Sequence, residues 1–284
     1  MKTFTLTRRQ TLAGLTASTA LTLGGCAANG GMPRLRPMDT DPDEWLDSVS
    51  YRLLEHEPER ATGLGVDTGE FAYLRGKLED QSISGQREYA ATLRWVVDQM
   101  TGLDESGLTN DQATSFEVVR SAFSTAAEGF DLPYGDVAVG SWRNAPYVVI
   151  QNVGTYLDMP RFLDSSQPLA DEADTGYYLD RIASVDTALD GELERLQKAR
   201  SLGVIPPDFL LDKAIAAMEA SIESAPSDYV NPLEKAPEAI RASAMTTARR
   251  VTEQKIVPAL QRQLAELKTE RARANSNAGM WAQP

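Results

Sequence analysis

The sequence contains only one cysteine and one histidine in 284 residues, and each shortage excludes a class of site. A single cysteine cannot form an intrachain disulfide, and a cysteine-rich structural zinc site needs about four nitrogen or sulfur ligands. A single histidine excludes an intrachain H-E-x-x-H zinc motif. A Ser-His-Asp triad would have to depend on His56 alone.

Basic residues are also scarce, since 28 Lys and Arg stand against 41 Asp and Glu, for a formal net charge of −13. Nucleic-acid binding needs a basic face that neutralises phosphates, so this balance argues against a nucleic-acid partner. The sequence also lacks a G-x-S-x-G motif, a Walker loop and a dinucleotide-binding fingerprint. Taken residue by residue, it shows no catalytic constellation and no metal-binding set.

Residues 1–25 have the composition of an export signal. Lys2, Arg8 and Arg9 precede an uncharged and moderately apolar stretch, residues 10–25. This order is typical of a signal peptide, and the stretch is too short and too weakly hydrophobic for a spanning helix of about 20 apolar residues. Residues 7–12 resemble the twin-arginine signal, with threonine at position 11 where phenylalanine is usual.

The signal ends in Leu23, Gly24, Gly25 and Cys26, which resemble a bacterial lipobox. In that motif small residues admit a signal peptidase, and the free thiol of the cysteine accepts the lipid. The alternative is an ordinary buried Cys26 beside a plain cleavable signal. On the lipid interpretation, removal of three basic residues and no acid takes the net charge from −13 to −16.

Lipidation at Cys26 predicts an exported protein, anchored to a membrane of the bacterial cell envelope and facing the periplasm or the outside. The acyl chains would supply the attachment, because an acidic surface is repelled by an anionic leaflet. Residues 26–42 then comprise the lipidated cysteine and a flexible tether, rich in proline and glycine. Residues 43–284 form the third part, a helical domain.

Apolar residues in that domain recur at three- and four-residue spacing, which predicts a mainly α, multi-helix fold. The helices are predicted at residues 45–54, 85–100, 109–129, 153–158, 171–200, 207–218 and 237–272. Loops are expected at residues 61–76 and 229–232. Residues 147–150 are the one plausible strand, but four apolar residues do not define a strand by periodicity, and residues 130–170 are interpreted as an aromatic-rich connecting region. Pro258 is expected to kink the last helix, since it removes a backbone donor and clashes with the preceding turn.

Residues 56–60 are a near miss to a zinc motif, because Arg60 stands where the second histidine would be and Pro58 disturbs the helix. The simpler interpretation of His56 is a partly exposed residue at a helix end. Residues 171–174 do not match an EF-hand loop, and their acids suit the positive end of a helix dipole. Glu192, Glu194 and Arg195 are interpreted as a solvated helix face.

A possible cleft lining comprises Trp142, Tyr147, Gln151 and Tyr156 in a region rich in proline, glycine and aromatic residues. The alternative for the aromatic residues is core packing, which is the commoner fate of aromatics in an α domain.

Four segments, taken in order, resemble the bacterial family called domain of unknown function 885. They are residues 58–65, 146–163, 173–182 and 203–212, and the likeness extends over nearly all of residues 43–284. One departure is Gln167, which stands before Pro168 where the family pattern has histidine.

The resemblance implies a fold similar to helical zincins, of the angiotensin-converting-enzyme and Taq carboxypeptidase types. Members are roughly twice this long and carry H-E-x-x-H in their second half, and residues 279–284 resemble the stretch just before it. We therefore expect the N-terminal, substrate-cleft half of a metallopeptidase-like protein, inactive alone, with no catalytic residue, metal ligand or cofactor. Zinc and a peptide substrate would belong to a full-length form. The alternative is a complete, non-catalytic binding or scaffold lipoprotein of the cell envelope.

Overall fold

The computed structural model describes residues 41–139 and 145–284, which form a helical array. The α-helices are α1 (Pro42–His56), α2 (Pro58–Leu64), α3 (Ile83–Met100), α4 (Asn110–Gly129), α5 (Thr155–Ser165), α6 (Glu172–Ser201), α7 (Asp208–Asp228), α8 (Glu238–Val251) and α9 (Val257–Arg271). Short 3₁₀ helices occur at Gly69–Gly76, Glu105–Gly107, Asn231–Lys235 and Met280–Ala282. The prediction of a mainly α fold is confirmed.

The two largest apolar clusters hold most of the array together. The smaller joins α1, α3 and α4, where Trp45 stacks on Phe116 with ring centroids 5.3 Å apart. The larger surrounds α6, whose Ile182, Val185 and Leu189 are fully buried against α5, α7, α8 and α9. The apolar stripe predicted for residues 171–200 is therefore the central contact surface of the fold.

Helix ends follow the local sequence signals. Thr109 and Gln112 form the predicted capping box at the start of α4, each side chain bonding the other residue's backbone amide. The Asp171 carboxylate accepts the Asp174 amide at 2.8 Å, which assigns the acids of residues 171–174 to a helix N-terminus. Gly203 has φ +85°, the left-handed conformation expected just after α6.

Residues 61–76 were wrongly predicted as a loop. Pro58 opens α2 at its first position, where a missing amide hydrogen costs nothing, and Gly65 ends it in the left-handed region at φ +69°. A 3₁₀ helix follows at Gly69–Gly76. The glycines of this segment therefore lie within two short helices or at their ends, and the segment is not one irregular connection.

Residues 147–150 form no strand and lie in a connecting region, as expected. Across the described ranges only two isolated bridges occur, Asp136 with Ala145 and Ile150 with Val153. The apolar run is explained by burial, since Val148 and Val149 are 4% and 0% exposed. The helix expected at 153–158 is longer, Thr155–Ser165, with Pro160 inside it.

The helix predicted over residues 237–272 is interrupted just before Pro258, the residue that was expected to kink it. A π turn, Thr252–Ile256, separates α8 from α9, and Pro258 is the second residue of α9. Proline cannot bond the carbonyl four residues earlier and its ring crowds that carbonyl, so a wider turn accommodates it. Of the helices described, none has the length and hydropathy of a membrane span.

Gly191 lies where α6 approaches the segment before α3, and a substitution there tests the packing. A Cβ atom at this position would lie 2.7 Å from the Ser82 amide nitrogen, which is backbone and cannot swing aside. We expect Gly191→Ala to lower the free energy of unfolding by about 1–3 kcal/mol in urea denaturation. Gly63→Ala is the control, because Gly63 is helical with open space around it, and it should be neutral or slightly stabilising. Equal effects of the two substitutions would contradict this packing.

Candidate functional site

A cavity of about 600 Å³ opens between the two apolar clusters, and acidic side chains dominate its lining. The carboxylates come from Glu57, Glu59, Glu79, Asp136, Asp158 and Glu192. Apolar side chains, among them Met159 and Phe162, line the rest. The one basic residue among its described lining residues is Arg60, so we call this the acidic cavity.

The first wall is built at the junction of α1 and α2. Glu57 accepts a hydrogen bond of 2.5 Å from the Tyr89 hydroxyl of α3, and Arg60 pairs with it at 2.9 Å. The Glu59 carboxylate accepts the Glu79 amide at 3.3 and 3.2 Å. These contacts hold Glu57, Glu59 and Glu79 on one side of the cavity, although Glu79 is 20 residues further along the chain.

Glu192 forms the opposite wall from the middle of α6, where it is 3% exposed. One carboxylate oxygen accepts the amide and the hydroxyl of Thr155, at 2.7 and 2.8 Å, at the N-terminus of α5. The other oxygen accepts the Gln263 side-chain amide at 2.9 Å. The positive end of the α5 dipole and three donors therefore fix this carboxyl group.

Burial raises the pKa of two glutamates on opposite walls of the cavity. It raises the pKa of Glu192 to about 7, against the opposing effects of Gln263, Thr155 and Arg195. Burial also raises the pKa of Glu79 well above its usual range, and the neighbouring charges of Glu59 and Asp136 add to the rise. Desolvated carboxyl groups that titrate near neutral pH can exchange protons with a bound molecule or stabilise a cation.

The prediction of a solvated face at Glu192, Glu194 and Arg195 is wrong for two of the three residues. Arg195 is 7% exposed and its guanidinium bonds Asp136 at 2.5 Å, Gly135 and Gln81. Only Glu194 is exposed, and it accepts the Ile83 amide at 3.1 Å. Glu192 and Arg195 are held inward because α6 is covered by other helices on most of its circumference.

Of the proposed cleft lining, Tyr147 and Tyr156 do not border the acidic cavity. Tyr156 is 1% exposed in the large apolar cluster and donates its hydroxyl to the Ile150 carbonyl at 2.9 Å. Tyr147 is 8% exposed, against Ala199 and Val204. Gln151 is partly buried and also lies outside the cavity. Trp142 falls outside the described residues, as do the signal and lipidation residues Arg8, Arg9, Leu23, Gly24, Gly25 and Cys26.

His56 ends α1 and is partly exposed, as expected. Its Nε2 lies 2.9 Å from the Thr92 hydroxyl, and its ring stacks on Tyr89 with centroids 4.7 Å apart. Burial lowers its pKa to about 4, and the nearby Arg52 charge adds to this effect. The imidazole is therefore neutral at physiological pH and already bonded.

A zinc ion does not fit the residues described here. Between residues 41 and 139 and from 145 onward, no three His, Cys, Asp or Glu side chains are grouped to hold a metal ion. The one imidazole is occupied by Thr92. Zinc chemistry of the kind that the resemblance implies for longer relatives is therefore not built from these side chains.

Gln167, which stands where the resemblance led us to expect a histidine, has a structural role in this chain. Its side-chain oxygen accepts a hydrogen bond from the guanidinium of Arg181, and its amide nitrogen lies 3.4 Å from the Arg75 carbonyl. The residue is 7% exposed, at the side of α6 that faces α2. An acceptor for Arg181 is thus kept at this position.

Comparison with known proteins agrees with the fold. A crystal structure of a candidate lipoprotein from Colwellia psychrerythraea is similar, with a TM-score of 0.73 at 21% sequence identity. The match covers 86% of this chain and 44% of that one, so this chain spans less than half the length of that structure. No curated protein matches. Residues 58–282 match the family described as bacterial protein of unknown function, and the chain therefore belongs to the DUF885 family.

Proposed function

We propose that this chain is an exported, lipid-anchored envelope protein whose helical domain binds the cationic part of a peptide in the acidic cavity. In this proposal it is the substrate-binding half of a metallopeptidase-like protein, and the metal-binding half lies outside these 284 residues. The observation that carries the proposal is the convergence of six carboxylates from distant segments on one cavity of about 600 Å³. Pockets of roughly 300–1,000 Å³ are the usual size for small ligands and side chains.

The chemistry of the cavity favours an ammonium or guanidinium group. Carboxylates crowded together repel each other and are expensive to desolvate, so a cation that enters relieves both costs. The apolar lining of Met159 and Phe162 suits the methylene stem of a lysine or arginine side chain. An anionic or uncharged ligand gains neither advantage.

Paired peptides test this proposal. Isothermal titration of the purified protein should show Ala-Lys-Ala, acetylated at its N-terminus and amidated at its C-terminus, binding about tenfold or more tightly than the same blocked form of Ala-Met-Ala. The methionine side chain has a similar length but no charge, and blocking removes the terminal ammonium that both peptides would otherwise carry. Glu79→Gln should remove most of this preference, because Glu79 lines the cavity. The control is Glu223→Gln, an exposed acid of α7, which should leave it unchanged. Equal affinity for the two peptides would refute the proposal.

The alternative is a non-catalytic binding or scaffold lipoprotein, which would use the same cavity. The two proposals assign different roles to the large exposed apolar side chains, and only the first treats them as a face that lacks its partner. These side chains include Leu202, Phe209, Met280 and Trp281. Trp281 is 88% exposed, beside a C-terminal segment fixed to Ile205 through hydrogen bonds of Gln283. Self-association that Trp281→Ser abolishes would support a half with an unpartnered face, whereas a cooperative monomeric melt would support the scaffold.

A further inference from the structure

The ion pair between Arg195 and Asp136 separates the acidic cavity from a second cleft. Asp136 lines the acidic cavity, while Arg195 lines the second space, which has a volume of about 380 Å³. Its walls are α3, α6 and residues 129–137. The two sites therefore lie on either side of one structural contact and share no charged residue.

The charge of the second cleft is opposite to that of the chain. Its basic lining residues are Arg87 and Arg94 from α3 and Arg195 and Lys198 from α6. Asp131 is the one acidic residue among its described lining residues. Four cations converging on a small space are unexpected in a protein of net charge −13, so composition alone does not account for them.

Two of these cations are satisfied by the protein and two are not. Arg94 pairs with Asp131 at 2.6 Å, and Arg195 pairs with Asp136 at 2.5 Å. Arg87 and Lys198 are exposed, and within the described part of the chain neither charged group has a partner. Two free cations from two different helices thus border a single cleft.

The floor of the same cleft is apolar. It is formed by Ala90, Phe130, Pro133, Val137 and Val148, with Tyr134 and the 54% exposed Leu132 beside them. A fully inorganic anion would leave this floor in contact with water, whereas an apolar or aromatic group would cover it. The combination of apolar floor and cationic rim is complementary to an amphiphilic anion.

We propose that this basic cleft binds a small organic anion that carries a carboxylate or phosphate on an apolar body. Arg87 and Lys198 contact the oxyanion, because guanidinium and ammonium groups form charge-assisted hydrogen bonds with both headgroups. The apolar body lies over Ala90, Phe130 and Pro133. This binding is independent of the acidic cavity and of whether the peptide proposal holds.

Three matched probes test the ligand class by isothermal titration. The anions are 4-phenylbutyrate and phenyl phosphate, and the neutral probe is 4-phenylbutanol. Both anions are expected to bind at one site, at least about tenfold more tightly than the alcohol, and more weakly as salt is added. The tighter of the two anions identifies carboxylate or phosphate as the natural headgroup. Failure of both anions to bind, or equal binding of the alcohol, would overturn the proposal.

Charge-matched variants locate the site. The double variant Arg87→Gln and Lys198→Gln is expected to weaken anion binding at least about tenfold. The double variant Lys213→Gln and Arg250→Gln removes the same charge from exposed residues elsewhere and should retain native affinity. All four residues are exposed, so thermal melts should coincide. Unchanged affinity in the first variant, or an equal loss in both, would contradict the assignment.

Discussion

Replacing Arg181 with methionine is expected to lower the free energy of unfolding by about 3–5 kcal/mol, the largest effect of any single substitution that we predict. Arg181 is 0% exposed on α6. Its guanidinium donates to the carbonyls of Lys77, Pro58 and Leu74, at 2.8, 3.1 and 3.1 Å. It also bonds the side chains of Thr62 and Gln167.

Methionine matches the length of the stem but donates no hydrogen bond, so these buried acceptors would lose their partner. Burial raises the pKa of Glu59, and the variant would also remove the Arg181 charge that opposes this rise. Urea denaturation at neutral pH measures the effect, with Arg249→Met on the exposed side of α8 as the control. A loss below about 1 kcal/mol would show that Arg181 does not hold α6 to α2 and the following 3₁₀ helix.

Glu192→Gln is expected to become progressively more stable than the native protein as the pH rises. Burial raises the pKa of Glu192 from 4.5 to about 7, so the folded state binds the proton more tightly than the unfolded state. The native protein therefore holds this contribution fully below about pH 4.5 and loses it as the pH passes 7. A shift of this size corresponds to about 3 kcal/mol.

The measured quantity is the difference in unfolding free energy between variant and native protein at about pH 5 and pH 8. The difference is needed because His56 gives the protein an opposite pH dependence. Its pKa is lowered to about 4, so its contribution to the free energy of unfolding is lost as the pH falls. Glu223→Gln should show a constant difference, and a constant difference for Glu192→Gln would show that its pKa is not raised.

The helical architecture was predictable because it depends on short-range signals. Two examples are the apolar stripe of Ile182, Val185 and Leu189 and the capping box at Thr109. Each predicts its helix from residues that are close together in the sequence. The short helices found in place of the loop predicted at residues 61–76 depend on burial against α6. No local sequence pattern indicates that burial. A proline such as Pro58 is compatible both with the end of one helix and with the first position of the next, and tertiary packing decides which occurs.

The acidic cavity was missed although α6 contained a signal. Glu192 lies three residues after Leu189 and four before Leu196, so it shares the apolar face. Arg181 lies three residues after Tyr178 and four before Val185 in the same way, and it is also buried. A charged residue in register with a buried stripe is better interpreted as an internal polar group. Glu57, Glu59 and Glu79 gave no comparable signal, because only the tertiary fold brings them to Glu192.

The pH dependence of cation binding tests the proposed role of the acidic cavity most directly. A cation favours the ionised carboxylates, so binding must displace protons from groups whose pKa is raised, Glu192 to about 7 and Glu79 well above its usual range. The affinity for Ala-Lys-Ala blocked at both termini should therefore increase as the pH rises from about 5.5 to 8.5, while the lysine side chain, the peptide's one titratable group, stays charged. An affinity that is constant or falls over this range would contradict binding of the cation by these carboxylates.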